Sequence, residues 1–521
     1  MKLGLVFLAG VSTVAIAAPA AAQTTPPPTS PPAPETAQSG DAQSGATETA
    51  QRTDNFDIVV TAQRRAEALQ SVPISVSAFN AEALERQQIS NATDLQLSLP
   101  NITFTKTNFT ASSFTIRGIG DLCVGFSCDV ATGIHVNDMP LVSTRLFETE
   151  YFDLDRVEVL RGPQGTLFGR NATSGVVNFI TARPKLGEFQ GSASAEYGNF
   201  NSIKLNGMLN VPISDWAGLR LAGYYLKRDG YTKNIFDDSR VDGRDLYAIR
   251  GTLRLRPAEG TTLDIIGYYF KEDDDRSRVQ KQLCNNDPTG ILGCLPDTLE
   301  FETVNGRSTL AATLASNQFL GIASQGNPLI TSFGLINLYG PDTYFGGIVN
   351  PADLRTVNID FKPTYKASET HLMARLEQEL GQQLSITVTG GYARNTVDSR
   401  TDYNLVAGNP LSGNAGLVNL ANAALLPGAL FGGSNPFAPV VAALIPNGPN
   451  GPVCTSEVNL NYTGVYGGFT NRCTAGSTDY DRSRSTSRQY SIEAHLDSNF
   501  DGPFNFLLGG IYLDNRFQDS D

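Results

Sequence analysis

The six cysteines are the residues whose spacing points most directly to chemistry. They fall into three local pairs in polar, turn-rich sequence: Cys123 and Cys128, Cys284 and Cys294, and Cys454 and Cys473. Six cysteines allow many connectivities, but we expect nearest neighbours to pair where each pair closes a short loop. No pair has the Cys-x-x-Cys spacing of a redox or zinc site. The pattern predicts three structural disulfides, which suit an exported protein.

Other residue types give no sign of catalysis or metal binding. The three histidines, His135, His371 and His495, lie far apart in sequence, and none has the spacing of a zinc ligand set. The Gly-rich run 161–175 lacks the Gly-Lys-Ser/Thr ending of a phosphate-binding loop, and we do not expect it to open a helix. We therefore predict no enzyme, no metal site and no cofactor. The net charge of −13 argues against a nucleic-acid partner.

The N-terminal region carries an export signal. Met1-Lys2 precedes an uncharged apolar stretch that ends in small residues at Ala20 and Ala22, so residues 1–22 are predicted to be a signal peptide. Residues 23–55 are rich in Pro, Gln, Ser, Thr and Ala, with almost nothing to bury. This composition predicts a disordered linker.

Residues 70 to 182 indicate a compact α+β domain. Val72–Phe79 alternates as a strand, and Asn80 can cap a helix over Ala81–Gln88. A second helical turn is expected at Thr93–Leu99, and a hairpin is expected to turn at Asn137-Asp138. Further strands are predicted at Val157–Leu160 and Val176–Ile180.

From about residue 188 the sequence alternates with strict period two. Ile203, Leu205 and Leu209, for example, alternate with Lys204 and Asn206. Nine such strands are expected, the last near 503–515, joined by connections that are alternately short and long. Strands with one apolar and one polar face are typical of a transmembrane antiparallel β-barrel with a wet interior. So is the alternation of short and long connections. Nine strands are too few to enclose a further domain, so we expect part of a larger barrel.

These residues together resemble the TonB-dependent outer-membrane receptors over about 56–521. Asp57–Ala62 looks like the family's TonB box, and Thr115–Ile119 and Val157–Ile180 look like its plug signatures. The matching plug positions are Arg117, Gly118, Arg161, Gly162, Pro163, Gly165, Gly169 and Gly175.

The resemblance implies a mostly β fold, with an α+β plug inside a β-barrel. It assigns residues 56–63 to the TonB box, 64–185 to the plug and 186–521 to a partial barrel with long extracellular loops. In this family the TonB protein pairs an edge strand with the box, here Asp57, Ile58, Val59, Val60, Thr61 and Ala62. The alternative for this segment is an ordinary first strand of the plug.

The implied function is energised uptake of a scarce ligand across the outer membrane of a Gram-negative bacterium. The implied partners are TonB, outer-membrane lipid and a small molecule, with ferric siderophores the commonest cargo. Cobalamin, an oligosaccharide or an aromatic compound remains open as the ligand. A passive porin-like channel is the alternative function, and a secreted β-rich enzyme or lectin is a further one.

Two contact expectations follow from the resemblance. Arg117 and Arg161 match plug arginines that lie against acidic groups of the barrel wall, and Glu377 and Glu493 are plausible partners here. Pairing of both arginines within the plug is the alternative. Loop aromatics such as Tyr344 could contact an aromatic or glycan ligand.

Overall fold

The structure is a computed structural model. It describes residues 58–65, 67–106, 111–120, 129–143, 150–279, 281, 285, 295, 343–348, 350–402, 405–455, 472–474 and 481–519. The predicted signal peptide and linker lie outside these residues, as do Asp57, Cys123, Cys128, Cys284 and Cys294.

A small α+β domain, which we call the plug, comes first in the described chain. Its strands are β1 (Val59–Val60), β2 (Glu67–Ala68), β3 (Val76–Asn80), β4 (Ile102–Lys106), β5 (Ser112–Ile116), β6 (Thr132–Val136), β7 (Met139–Leu141), β8 (Leu154–Arg161) and β9 (Gly175–Thr181). Its helices are α1 (Ala81–Arg86), α2 (Ala92–Ser98) and the short α3 (Gly165–Phe168). Five strands form a mixed sheet in the order β3-β8-β9-β6-β7, with β6 and β9 parallel. β4 pairs with β5 and β1 with β2.

Local sequence explains several of these elements. The Asn80 side chain accepts a hydrogen bond from the Ala83 amide at 2.8 Å, which caps α1 as expected. Asn137 and Asp138 have φ of 49° and 71°, the left-handed pair that a two-residue hairpin turn requires, so the predicted hairpin is confirmed. The strand expected at Val72–Phe79 begins only at Val76, because a 3-10 turn and Pro73 precede it. The expectation of no helix in run 161–175 is wrong, since α3 forms there.

A large antiparallel sheet, which we call the wall, follows the plug. The strands after β9 are β10 (Gln190–Gly198), β11 (Ser202–Ser214), β12 (Ala217–Arg228), β13 (Thr232–Asn234), β14 (Arg240–Val241), β15 (Arg244–Ala258), β16 (Thr261–Asp274), β17 (Thr356–Val357), β18 (Thr364–Glu379), β19 (Leu384–Thr401), β20 (Val453–Thr455), β21 (Arg472–Thr474), β22 (Asp481–Ser498) and β23 (Leu507–Asp519). Nine of them form the wall in the order β10-β11-β12-β15-β16-β18-β19-β22-β23.

The nine predicted strands and the mostly β fold are confirmed. The last strand starts at Leu507 rather than near 503, because Asn505 organises the preceding turn by accepting the Phe500 amide at 2.6 Å. Along the wall the apolar side chains, such as Leu205 and Ile249, are exposed on one face, whereas polar ones such as Arg220 and Asp264 are buried on the other. The buried face meets the plug, since Met373 of β18 packs in one cluster with Phe114 and Met139.

The long connections at one end of the wall carry structure of their own. β13 pairs with β14 and, in parallel, with β17. Helices α4 (Ala415–Ala424) and α5 (Phe437–Leu444) share a hydrophobic cluster with Tyr344 and Phe345. Both aromatic residues are almost fully buried there, so in this conformation Tyr344 is not exposed to a ligand.

The described cysteines, Cys454 and Cys473, form a disulfide across β20 and β21. This is one of the three bridges that the sequence predicts. The other two fall on residues that are not described.

The segment that joins the plug to the wall is tied down by one side chain. Asn210 of β11 is fully buried, and its amide group accepts the Lys185 N–H at 3.0 Å. The same amide donates to the Lys185 carbonyl at 2.9 Å and to the Glu188 carbonyl at 2.6 Å. A single wall residue therefore binds both backbone N–H and backbone carbonyl groups of this connection.

Among the residues that the structure describes, no helix is long and apolar enough to cross a membrane.

Candidate functional site

The segment Ile58–Ala62, which we call the docked segment, lies against the plug. Val60 and Ala62 are completely buried in a cluster with Leu160, Phe168 and Val176. β1, within this segment, pairs with β2, and the Leu69 amide donates to the Ile58 carbonyl at 2.8 Å. Val59 is 47% exposed, so one side chain of the segment remains accessible. The β-branched run that the sequence singled out is thus a strand of a short hairpin in this conformation.

Glu158 of β8 holds the end of the docked segment. Its Oε1 accepts the Thr61 amide at 2.8 Å, and the Thr61 hydroxyl lies 3.1 Å from the same oxygen. Arg156 donates to Glu158 at 2.7 Å from the other side. The Glu158 side chain is completely buried, and this burial raises its pKa above the usual value against the opposing effect of Arg156. A buried carboxylate with all its partners in place fixes the segment firmly.

Arg64 lies two residues after the docked segment and connects it to the plug and to the wall. Its guanidinium lies 2.9 Å from Glu493 of wall strand β22 and 3.6 Å from Asp138 of the plug hairpin. Its Nε donates to the Leu167 carbonyl at 3.0 Å, and the group lies 4.4 Å above the Phe168 ring. The Arg64 side chain is only 5% exposed. Buried, multiply bonded arginines of this kind couple the elements that they touch.

Asp138 is the centre of the network. Its second oxygen binds Arg375 of wall strand β18, and its first accepts the Asn178 amide at 2.8 Å. Arg375 also donates to Glu377 at 2.8 Å. The two arginines, Arg375 and Arg64, hold the pKa of Asp138 far below its usual value despite complete burial. We call Arg64, Asp138, Glu493 and Arg375 the junction.

The junction is open to the space between plug and wall. A cleft of about 350 Å³ is lined by Thr61, Asp138 and Arg156 from the plug side and by Arg375 and Glu377 from the wall. Arg65 adds a further link to the wall, since it donates to the Ser498 carbonyl at 3.0 Å and lies 3.4 Å from Asp497. A displacement of the docked segment therefore reaches the plug and the wall through adjacent residues.

The arginines of the predicted plug signatures lie elsewhere. Arg161 donates to Ser77 of β3 at 2.7 Å, and Arg117 is exposed, with Nη1 directed toward Gly162. Burial and the nearby Arg117 lower the pKa of Arg161. The structure brings these two signatures together but assigns Glu493 to Arg64 and Glu377 to Arg375. The proposed pairing of Arg117 and Arg161 with Glu377 and Glu493 is therefore wrong for the described wall.

Sequence reasoning missed Arg64 as a site residue. In the sequence, Gln63-Arg64-Arg65 is a short polar stretch directly after the β-branched run. The available signal was the arginine doublet itself, because two adjacent cations entering a buried domain need anionic partners. The partners could not be named, since Glu493 is 429 residues away in sequence.

His135 makes the junction sensitive to pH. The imidazole is buried, and its Nδ1 lies 3.2 Å from the Asp138 carbonyl. Burial and the neighbouring Arg64 lower its pKa from 6.5 to about 4. A displaced and hydrated His135 would have its ordinary pKa of 6.5 and would bind a proton below that pH, whereas the buried imidazole stays neutral down to about pH 4. The contribution of His135 to plug stability is thus complete above pH 6.5 and falls as the pH drops toward 4.

We expect this loss to reach about 3 kcal/mol near pH 4. The measurement is plug stability to urea at a series of pH values between 7 and 4, for the native chain and for His135→Gln. The glutamine cannot titrate, so its stability should fall less steeply over this interval. Parallel curves for the two proteins would contradict the assignment.

No group of three or more His, Cys, Asp or Glu side chains in the described part of the chain is placed to hold a metal ion.

Residues 68–176 match the family model described as TonB-dependent Receptor Plug Domain. This stretch covers β3, β8, β6, β7 and the first two residues of β9, together with Arg117, Arg161 and Asp138. Arg64 lies just before it.

Two curated proteins and one solved structure illustrate the similarity. The iron-regulated outer membrane virulence protein of Vibrio cholerae is 29% identical over 195 residues, which are 36% of this chain and 30% of that protein. The vitamin B12 transporter BtuB of Vibrio vulnificus is 23% identical over 274 residues, 52% of this chain and 44% of that one. The siderophore receptor PiuA of Acinetobacter baumannii has the same fold, with a TM-score of 0.52 at 15% identity over 87% of this chain and 47% of that chain. The chain thus spans less than half the length of each.

Proposed function

We propose that this chain, whose plug sequence matches the TonB-dependent receptors and whose fold is theirs, takes up a scarce ligand across the outer membrane of a Gram-negative bacterium. The energy would come from TonB, which pairs with the predicted box and pulls on it. The wall strands, with their exposed apolar face, lie in the lipid of that membrane. The matched proteins are receptors and transporters, and we propose no catalytic role.

One observation carries this proposal: the docked segment, the plug and the wall meet at Arg64. A pull by TonB on the predicted box first separates β1 from β2, whose pairing is only two residues long. The load then passes to Thr61 on Glu158 and to Arg64 on Asp138 and Glu493. Loss of these bonds loosens the plug from the wall where the cleft already lies. A passive channel has no use for such a connection.

A ferric siderophore is the ligand that we propose. The Vibrio cholerae protein is named for iron regulation, and PiuA is described as a siderophore receptor. The vitamin B12 transporter keeps cobalamin as the second candidate. Accumulation of radioactive iron and, separately, of radiolabelled cobalamin by iron-limited cells separates the two. Cobalamin accumulation without iron accumulation would assign the second ligand.

Replacing Ile58 with proline is expected to abolish energised uptake and leave ligand binding unchanged. Proline removes the backbone N–H of residue 58 and fixes φ, so an added strand cannot pair there. The Ile58 carbonyl, which accepts the Leu69 amide, is retained. The measurements are binding of labelled ligand to whole cells and its accumulation in the periplasm.

The matched control is Ile58→Ala, which shortens the side chain but keeps the N–H. It should retain most of the uptake. If the proline variant also accumulates ligand, the segment is an ordinary first strand. If both variants lose binding at the cell surface, the plug itself has been disturbed.

A further inference from the structure

A second cavity lies between plug and wall, apart from the junction. It has a volume of about 100 Å³, and its lining includes Tyr151 and Phe152 from the plug and Tyr268, Glu369, His371 and Met373 from the wall. None of the four junction residues contributes to it. This is about two-thirds of the 150 Å³ of an apolar cavity that holds benzene, so one small ring is the largest guest that it could accept, with some movement of the lining side chains.

Aromatic rings form one side of the cavity. Phe152 stacks near Tyr268, with ring centroids 6.4 Å apart and an interplanar angle of 26°. The His371 ring is tilted against Tyr268, with ring centroids 5.2 Å apart. Met373 is almost completely buried and adds a polarisable apolar surface. A flat aromatic guest fits such walls better than an aliphatic chain does.

The remaining side of the cavity is polar, and some of its polar atoms have no hydrogen-bond partner among the described residues. Glu369 and His371 are each 7% exposed, and Glu369 Oε1 lies 2.7 Å from His371 Nε2. The contact is not aligned as a hydrogen bond, and the buried Tyr151 hydroxyl has no partner among the described residues. Arg250, which also lines the cavity, is already bound to Asp153 and to the Phe152 carbonyl. The Glu369 carboxylate thus pairs with no arginine or lysine in the described part of the wall.

We propose that this cavity binds a single-ring phenol. The phenol hydroxyl donates to the Glu369 carboxylate, a charge-assisted bond stronger than one between neutral groups. The Tyr151 hydroxyl donates to the phenol oxygen, and the ring packs against Phe152 and Tyr268. Because plug and wall both line the cavity, a bound ring bridges the two bodies at a point separate from the junction.

The test is a fluorine NMR titration of the purified chain with 4-fluorophenol and, separately, with 4-fluorotoluene. The two probes have the same size, but only the phenol can donate to Glu369. We expect saturable binding of 4-fluorophenol, roughly tenfold tighter than that of 4-fluorotoluene. Equal affinities would overturn the proposal. The titration needs neither TonB nor an energised membrane, so its outcome is independent of the uptake proposal.

Three variants locate the bound probe. Met373→Trp fills the cavity and should abolish saturable binding, whereas Met208→Trp, on wall strand β11 away from the cavity, should preserve it. Glu369→Gln keeps the shape but removes the charge, so the preference for the phenol should fall to about threefold or less. Binding that survives Met373→Trp would place the probe elsewhere or in detergent. An unchanged preference in Glu369→Gln would also overturn the assignment.

Discussion

The Asp138→Asn variant is expected to lose about 3 kcal/mol of plug stability. The substitution preserves shape but removes the charge that Arg64 and Arg375 share. Two buried guanidinium groups then face a neutral amide, and each keeps a single carboxylate partner, Glu493 for Arg64 and Glu377 for Arg375. Removing one partner from a buried charge network is costly. Backbone hydrogen exchange in β6, β7 and β9 is the direct measurement. Exchange through local opening should become roughly a hundredfold faster.

The matched control for Asp138 is Asp155→Asn. Asp155 also pairs with an arginine, Arg156, but its side chain is 55% exposed. Solvent screens such a pair, so its loss should change stability by about 0.5 kcal/mol or less. Similar exchange rates in the two variants would show that burial of the junction does not determine its energetic role.

Replacing Gly175 with alanine is expected to destabilise the plug sheet by about 3 kcal/mol. Gly175 begins β9 with φ of 155°, a region that residues with a side chain rarely adopt. An added Cβ would overlap the Leu160 carbonyl of the adjacent strand β8 and lie 2.8 Å from Ile116 Cδ1. Backbone cannot move aside cheaply within a paired sheet. A lower urea midpoint for plug unfolding is the expected result.

Gly165 provides the comparison within the same Gly-rich run. It opens α3, and an added Cβ there would meet no atom within 4 Å. Gly165→Ala should therefore leave stability unchanged or raise it by about 0.5 kcal/mol, because alanine favours helices. If both alanine variants were equally unstable, the run would be intolerant for a reason other than the Leu160 contact.

The parts of this fold that depend on local sequence could be predicted from it. Alternation with period two located the nine wall strands, and Asn80 and the Asn137-Asp138 turn located elements of the plug. Each of these signals acts over a few residues. The sequence misplaces some edges, such as the start of β23, and does not predict α3, whose glycines give no helical signal. It also does not predict β4, β5, α4 and α5.

The junction could not be predicted, because it depends on which wall strand faces which plug loop. The alternation of wall strands β18 and β22 places Glu377 and Glu493 on the polar face. Their expected partners are Arg117 and Arg161. In the structure Glu377 instead pairs with Arg375, two residues away, and Glu493 pairs with Arg64. Alternation fixes the face of a strand but not the rotation of the plug inside it. Likewise, no periodic pattern indicates that Tyr344 is buried under α4 and α5.

The hydrogen bonds of Asn210 to the connection between plug and wall affect how a displaced plug would return to its place. Because Lys185 and Glu188 are bound to β11, a plug pulled at its N-terminal end stays attached at its C-terminal end. A displaced plug would then rotate about this attachment instead of leaving the wall. Return is an intramolecular event at high local concentration, so resealing needs no search through solution. If the chain takes up ligand as proposed, a rapid return of the plug would limit leakage of periplasmic solutes.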